Sequence, residues 1–145
     1  MDNKAFLITA FIGMLLSVYA IPLHFANDGS SLCDIGETLS CDKVNKSQWS
    51  TFVGVPVAFL GLIAYAVVFL LVLKQKSIRQ KLEFTRKDFA QYLLVITVIM
   101  FAFQAYLTIT EIFFIHAYCI VCLGSQACTI ALVWLAWKEY NKSNL

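Results

Sequence analysis

The sequence predicts an all-α membrane protein, a bundle of four transmembrane helices with an exoplasmic loop between the first and second helices. Of its 145 residues, 60% are hydrophobic and only 14% are charged, and the mean hydropathy is +0.75. A soluble domain of this length could not bury so much apolar surface. Four uncharged stretches can each cross a hydrocarbon core of about 30 Å, and they lie at residues 5–25, 51–73, 89–110 and 116–137. We expect residues 1–145 to form a single domain.

The first stretch, residues 5–25, follows Lys4 and has the outline of a signal peptide. It is longer than the usual apolar region of a signal peptide, and Val18-Tyr19-Ala20 is a poor cleavage site. We therefore expect it to be retained as a membrane helix. All four stretches are expected to be helical, because they lack a strand-length alternating pattern and lipid admits only helices or closed barrels.

The basic residues are distributed unevenly along the chain. Nine of the eleven lysines and arginines lie near the termini or in the loop 74–88, between the second and third stretches. The other two, Lys43 and Lys46, lie in the loop 26–50. The positive-inside rule then places both termini and the loop 74–88 in the cytoplasm. The loop 26–50 and the junction before the fourth stretch are exoplasmic.

Four of the five cysteines form two sequence pairs on that exoplasmic side. Cys33 and Cys41 lie in the polar loop, and Cys119 and Cys122 open the fourth stretch. An exoplasmic compartment, either a periplasm or the lumen of the endoplasmic reticulum, is where disulfides persist. The start of a helix stabilises a thiolate. A disulfide within a C-x-x-C motif closes a very short loop and therefore stabilises the fold little. Such bridges are more often redox-active than structural. The loop pair can meet a soluble partner and the other pair a lipid-soluble one, which is the arrangement of an electron relay.

Other uses of paired cysteines fit the spacing less well. Zinc needs four tetrahedral ligands, and the eight-residue separation of Cys33 and Cys41 is unlike a short metal knuckle. Covalent haem attachment needs a histidine where Leu123 stands. We therefore expect no metal, and no motif for nucleic acid is present. A non-enzymatic tetraspan scaffold clamped by two static disulfides remains an alternative of another class. Cys128 is expected to be a small buried hydrophobe.

The surroundings of the cysteines resemble one family over most of the chain. The matching residues are Leu32-Cys33-Asp34-Ile35-Gly36, Cys41, Ser47, Trp49, Gly54-Val55-Pro56, Gly61, Tyr65 and Tyr118-Cys119-Ile120-Val121-Cys122. On these motifs the chain resembles the vitamin K epoxide reductase (VKOR) family, in its short four-helix form without a fused thioredoxin-like domain. Another bacterial family of quinone-coupled disulfide generators carries its C-x-x-C in the first outer loop, whereas here it comes second.

The resemblance implies a division of labour among the four cysteines. Cys33 would exchange with a soluble thioredoxin-fold oxidoreductase on the exoplasmic side, and Cys41 would then attack Cys119. Cys122 would deliver the electrons to a quinone, whether ubiquinone, menaquinone or vitamin K. The implied activity is that of a thiol-disulfide oxidoreductase and quinone reductase.

The resemblance also implies that Ser47 caps the active site, with Trp49 packed beside it. Two departures from the vertebrate enzymes narrow the expected substrate. Val57 stands where those enzymes have a quinone-binding asparagine, and Gln126 stands where they have a tyrosine. We therefore expect plain quinone reduction. The alternative is an epoxide or naphthoquinone reductase of the endoplasmic reticulum.

Several polar residues near the cysteines are further candidates. Gln104, Thr108 and Glu111 share one face of the third stretch and are expected to point into the bundle. We hypothesise that Glu111 or Gln126 supplies a hydrogen bond or a proton to the quinone. The competing interpretation is that Glu111 reaches outward to the membrane interface. His116 is either a cation that favours the nearby thiolates or an interfacial anchor.

The expected location is a plasma (inner) membrane of a prokaryote. Residues 142–145 carry no dilysine-type retrieval signal, which favours that membrane over the endoplasmic reticulum. The expected partners are the membrane lipid with its quinone and the thioredoxin-fold protein.

Overall fold

The computed structural model describes residues 2–25 and 32–145, so residues 26–31 of the predicted exoplasmic loop lie outside the described part. The described α-helices, numbered in chain order, are α1 Asn3–Phe25, α2 Cys41–Lys46, α3 Val57–Leu73, α4 Gln75–Leu82, α5 Arg86–Thr110 and α6 Ile120–Asn144. A 3₁₀ turn, Gln48–Ser50, follows α2, and a π-helical turn, Glu111–Ile115, extends α5. Two short antiparallel strands, β1 Thr51–Phe52 and β2 Val55–Pro56, precede α3.

Within the described residues, three helical segments are long and apolar enough to cross a membrane. They are Asn3–Phe25, Arg86–Ile115 and Ile120–Asn144. A fourth candidate is α3 together with α4, which are bent by 75° at their junction. Large apolar side chains such as Ile8, Ile109 and Trp134 are exposed on the outer surface, as suits helices that face lipid. The protein is therefore an all-α membrane protein with three or four spans.

The interior is formed where α1 packs against α3 and α6, and where α5 packs against α6. Its most buried large side chains include Tyr65, Phe6, Leu93 and Leu132. Gly13 on α1 permits the closest approach, because a Cβ atom there would lie 2.6 Å from Cζ of Tyr65. The glycine therefore lets the Tyr65 ring lie directly against the α1 backbone.

The second predicted span, 51–73, begins later than its hydrophobicity suggests. Residues 51–56 form a hairpin instead, and its turn needs two left-handed residues, Val53 (φ 53°) and Gly54 (φ 80°). The helix starts after Pro56, which cannot donate a backbone hydrogen bond and is suited to a helix start. The 17 residues of α3 span only about 25 Å at about 1.5 Å per residue.

The ends of the other predicted segments also shift. The loop 74–88 contains the amphipathic helix α4, and Thr85 and Asp88 form a capping box at the start of α5. The predicted fourth span, 116–137, starts as a helix only at Ile120. His116 adopts a left-handed conformation (φ 53°) that ends the preceding π-helical turn.

Candidate active site

The two cysteine pairs meet end to end at one end of the bundle. Cys33 and Cys41 form a disulfide with their Cα atoms 5.8 Å apart. The Cys119 sulfur lies 3.5 Å from that of Cys41 and 2.6 Å from that of Cys122. The sulfurs of the inner pair lie side by side as free thiols, and Cys119 lies in contact with the outer disulfide. The four sulfurs form one continuous row in the order Cys33, Cys41, Cys119 and Cys122.

Backbone pairing aligns the two middle cysteines. The amide of Tyr118 donates to the carbonyl of Thr38 at 2.8 Å, and the amide of Ser40 donates to the carbonyl of Tyr118 at 3.1 Å. These bonds make a parallel bridge between Leu39 and Tyr118. Cys119 comes one residue and Cys41 two residues after this bridge, so their side chains are brought together.

Both middle cysteines also lie at helix starts. Ser40 caps α2, with its hydroxyl accepting from the amide of Lys43 at 3.2 Å, so Cys41 is the first residue of that helix. Cys119 is the N-cap of α6, and its sulfur accepts from the amide of Cys122 at 3.2 Å. A helix N-terminus stabilises negative charge, so the position of Cys119 favours a thiolate.

Asn45 lies beside the same two cysteines and was not singled out from the sequence. Its side chain is buried, and its Nδ2 atom donates to the carbonyl of Cys41 at 2.9 Å. The same nitrogen lies 3.8 Å from the Cys119 sulfur. The four-residue spacing from Cys41, which puts both residues on one helix face, is a signal that could have identified it.

His24, at the end of α1, holds Asn45 from the other side. Its Nδ1 atom lies 2.6 Å from the carbonyl oxygen of Asn45 and 3.2 Å from the hydroxyl of Ser50. A carbonyl oxygen only accepts, so the imidazole carries its proton on Nδ1. This contact ties α1 to the segment that carries the outer cysteine pair.

The inner end of the sulfur row opens into a cavity of about 330 Å³. Cys122 contributes to its wall, whereas Cys119 does not. Most of the lining is apolar, including Leu16, Ile99 and Phe103. An apolar cavity of this size with a few polar groups is typical of a small-molecule site.

Glu111 lies at the polar end of this cavity. Its side chain is buried at 3% exposure, and its Oε2 atom accepts from the amide of Cys119 at 3.5 Å. Cys122 lines the same cavity. Glu111 therefore faces the inner cysteine pair.

Other polar groups in the wall come from α5 and α6. Thr108 donates from its hydroxyl to the Gln126 side-chain oxygen at 3.5 Å. Gln104 donates through Nε2 to the Ser125 hydroxyl at 2.9 Å. These four residues all line the cavity, so its interior offers several amide and hydroxyl groups.

The remaining predicted residues divide between the cavity and the surface. Ser47 and Trp49 line the cavity, with the Ser47 hydroxyl donating to the Val44 carbonyl at 2.8 Å. His116 is exposed and lies outside the cavity wall. Cys128 is partly buried and packs against the main core. The geometry thus brings Ser47, Trp49, Glu111 and Gln126 to one cavity with Cys122, and leaves His116 out.

Comparison with known proteins agrees with this arrangement. The chain matches the model of the vitamin K epoxide reductase family over residues 4–137. It is similar to vitamin K epoxide reductase complex subunit 1 of Mus musculus and to that of Rattus norvegicus. Each is 27% identical over 141 residues, covering 88% of this chain and 83% of the relative. The range matched by the family model includes both cysteine pairs and the cavity wall.

Proposed function

The chain belongs to the vitamin K epoxide reductase family, and on that premise we propose that it is a membrane quinone reductase that generates disulfides. Members of this family are membrane oxidoreductases. The observation that carries the proposal is the continuous row of four sulfurs, from partly exposed Cys33 to Cys122 in the cavity wall. Each neighbouring pair in this row is bonded or within 3.5 Å.

The first step takes place at the outer pair. The sulfur of Cys41 is inaccessible, at 0% exposure for the residue, whereas Cys33 is partly exposed. A thiolate of a thioredoxin-fold partner therefore attacks the Cys33 sulfur and releases Cys41 as a thiolate. The second thiol of the partner resolves the mixed disulfide, so the partner leaves oxidised and the outer pair is reduced.

The second step passes the electron pair inward. The Cys41 thiolate attacks Cys119 in the Cys119–Cys122 disulfide and releases Cys122 as a thiolate. Cys33 then attacks Cys41 and releases Cys119, which regenerates the outer disulfide. The 3.5 Å separation of the Cys41 and Cys119 sulfurs supports this route. Two electrons and two protons now reside on the inner dithiol.

The third step oxidises that dithiol at the cavity. The two thiols form a disulfide and lose two electrons and two protons, and a quinone gains them to become a quinol. Glu111 is suited to carry one of these protons, because its carboxyl group accepts from the amide of Cys119 and lines the same cavity as Cys122. Gln126 is suited to donate a hydrogen bond to a quinone oxygen. Ser47 and Trp49 close the cavity on the exoplasmic side.

The cavity supports a quinone, rather than a quinone epoxide, as the substrate. Its wall is largely apolar, as a quinone with a hydrocarbon tail requires. Val57 offers no polar atom to a ring oxygen, although it lines the cavity. The mouse and rat relatives are named for vitamin K epoxide reduction. That similarity makes epoxide reduction the second candidate for this chain.

The membrane orientation follows from the charges. Both termini and the segment with α4 are placed in the cytoplasm, and both cysteine pairs face the exoplasmic side. A prokaryotic plasma membrane provides an oxidising outer compartment and a pool of ubiquinone or menaquinone. The four candidate spans form a single domain around the cavity.

The proposal is tested by trapping the first step. Oxidised protein is mixed with a reduced thioredoxin-fold protein whose second active-site cysteine is replaced by serine. We expect a stable mixed disulfide between the partner and Cys33, with Cys41 either free or bonded to Cys119, mapped by proteolysis and mass spectrometry. A mixed disulfide at Cys41 or Cys119, or none at all, contradicts the proposed entry point.

A disulfide-clamped scaffold is distinguished by single cysteine replacements. A scaffold loses its folded state when either Cys33 or Cys41 is replaced by serine. A relay keeps its fold in both variants, because its disulfides exchange during turnover. Thermal unfolding of the two variants in detergent, measured beside the wild-type protein, separates these outcomes.

A further inference from the structure

Asn45 lies where the outer and inner cysteine pairs meet. It is 4% exposed, and its carboxamide nitrogen is within 2.9 Å of the Cys41 carbonyl and 3.8 Å of the Cys119 sulfur. A carboxamide nitrogen carries two hydrogens. One is used by the carbonyl of Cys41, and the other is directed at the sulfur of Cys119.

The orientation of this carboxamide is set by its surroundings. The Cys41 carbonyl can only accept, so the nitrogen and not the oxygen of Asn45 must face it. The backbone carbonyl of Asn45 is in turn held by Nδ1 of His24 at 2.6 Å. The Asn45 carboxamide thus reaches Cys119 from the short helix α2, and the backbone of that helix is held in place by His24.

We propose that Asn45 stabilises the thiolate of Cys119 and so drives the electron pair from the outer to the inner cysteine pair. This assignment rests on the proposed relay. The affected step starts from the Cys41–Cys119 disulfide, when the Cys33 thiolate attacks Cys41. The Cys33–Cys41 bond forms, the Cys41–Cys119 bond breaks, and Cys119 leaves with the electron pair as a thiolate. One thiolate enters and one leaves, so charge and electrons balance without another reactant.

A donor at the leaving sulfur favours this step in two ways. A hydrogen bond to a charged group is stronger than one to a neutral group, so it stabilises the thiolate more than the disulfide sulfur. It also adds to the amide of Cys122, which already donates to the same sulfur at 3.2 Å. Cys119 therefore becomes a better leaving group, and the reduced inner pair is favoured.

The test measures how one disulfide is distributed among the cysteines. Protein reduced to one disulfide per molecule is equilibrated without quinone and quenched with acid, and the bonded peptides are quantified by mass spectrometry. The isomers contain the same number of electrons, so their ratio reports only the internal exchange. We expect the ratio of Cys41–Cys119 to Cys33–Cys41 to rise about tenfold in Asn45→Leu. A hydrogen bond to a charged group is worth about 1.4 kcal/mol or more, which is a factor of about ten.

A second variant distinguishes stabilisation of the Cys119 thiolate from a purely structural role, in which the shape of the Asn45 side chain holds the two cysteines in position. Asn45→Asp keeps the shape of the side chain but replaces the donor with an acceptor that repels a thiolate. Stabilisation of the thiolate predicts a ratio in Asn45→Asp at least as high as in Asn45→Leu. Bracing by shape alone predicts a ratio close to that of the wild type in Asn45→Asp.

Leu23→Ala is the matched control for packing. Leu23 is 5% exposed and packs in the same cluster as Cys41 and Cys119, but it carries no donor. We expect its ratio to match the wild type even if its unfolding temperature falls. An equal rise in Leu23→Ala, or no rise in either Asn45 variant, overturns the role of Asn45. If the Cys41–Cys119 disulfide is absent from the wild type and from all three variants, the relay itself is overturned, together with the role of Asn45.

Discussion

Replacing Tyr65 with phenylalanine probes the polar network that forms the inner wall of the cavity. The hydroxyl of this fully buried tyrosine lies 2.7 Å from the Ser125 carbonyl and 2.7 Å from the Thr129 hydroxyl. It also accepts from Nε2 of Gln104 at 3.2 Å. Two of these partners keep another bond after the change, because Gln104 still donates to Ser125 and Thr129 still donates to Gln104.

The expected loss is therefore that of one or two hydrogen bonds rather than all three. We expect Tyr65→Phe to lower the free energy of unfolding by about 2 kcal/mol. For a chain of this length that corresponds to a fall of roughly 5 °C in the unfolding midpoint. Because Gln104 and Ser125 line the cavity, the KM for quinone should rise. Exchange between Cys41 and Cys119, which does not involve these groups, should keep its rate.

The assay is thermal unfolding in detergent followed by tryptophan fluorescence, with quinone kinetics on the same samples. Tyr92→Phe is the matched control, since the Tyr92 side chain is 57% exposed and stacks on Phe84 through its ring. We expect no change in midpoint or KM for this control. An unchanged midpoint in Tyr65→Phe, or an equal fall in both variants, would refute the structural role given to the network.

Three further substitutions are tested by the same unfolding measurement. Gly13→Ala should lower stability by about 1–3 kcal/mol, because its Cβ would overlap the Tyr65 ring; an unchanged midpoint would contradict the close approach. Ser40→Ala should cost about 1 kcal/mol by uncapping α2, and should also slow exchange between the cysteine pairs; normal exchange would argue against a positioning role for that helix. Arg86→Leu should cost about 1–3 kcal/mol, because the Arg86 Nε atom donates to buried Glu139 at 2.9 Å. Replacing both Arg86 and Glu139 by leucine should recover part of the stability lost in Arg86→Leu.

The membrane character of the fold could be predicted from the sequence because it depends on local composition. Uninterrupted apolar length and the absence of charge are properties of a single segment, and they located most of each helix. The hairpin at 51–56 was missed because its residues are uncharged and continuous with the apolar helix that follows. Gly54 and Pro56 were the available turn signals, and hydropathy outweighed them.

The cysteine row was predictable only in part. The two pairs and their polar surroundings are visible in the sequence, but the meeting of Cys41 with Cys119 depends on backbone bonds between residue 118 and residues 38–40. Such long-range pairing leaves no local pattern. Glu111 is buried at the first residue of the π-helical turn that follows α5, and such a turn has no local signal in the sequence. Asn45 was overlooked because its spacing from Cys41 is informative only once residues 41–46 are known to be helical.

The central claim is that electrons reach the quinone only through Cys41, Cys119 and Cys122 in that order. It is tested most directly by counting the quinols that form when fully reduced protein is mixed anaerobically with excess ubiquinone or menaquinone. Four thiols hold four electrons, so the account predicts two quinols per wild-type molecule, one for Cys41→Ala and none for Cys122→Ala. Two quinols from Cys41→Ala, or any quinol from Cys122→Ala, would contradict it.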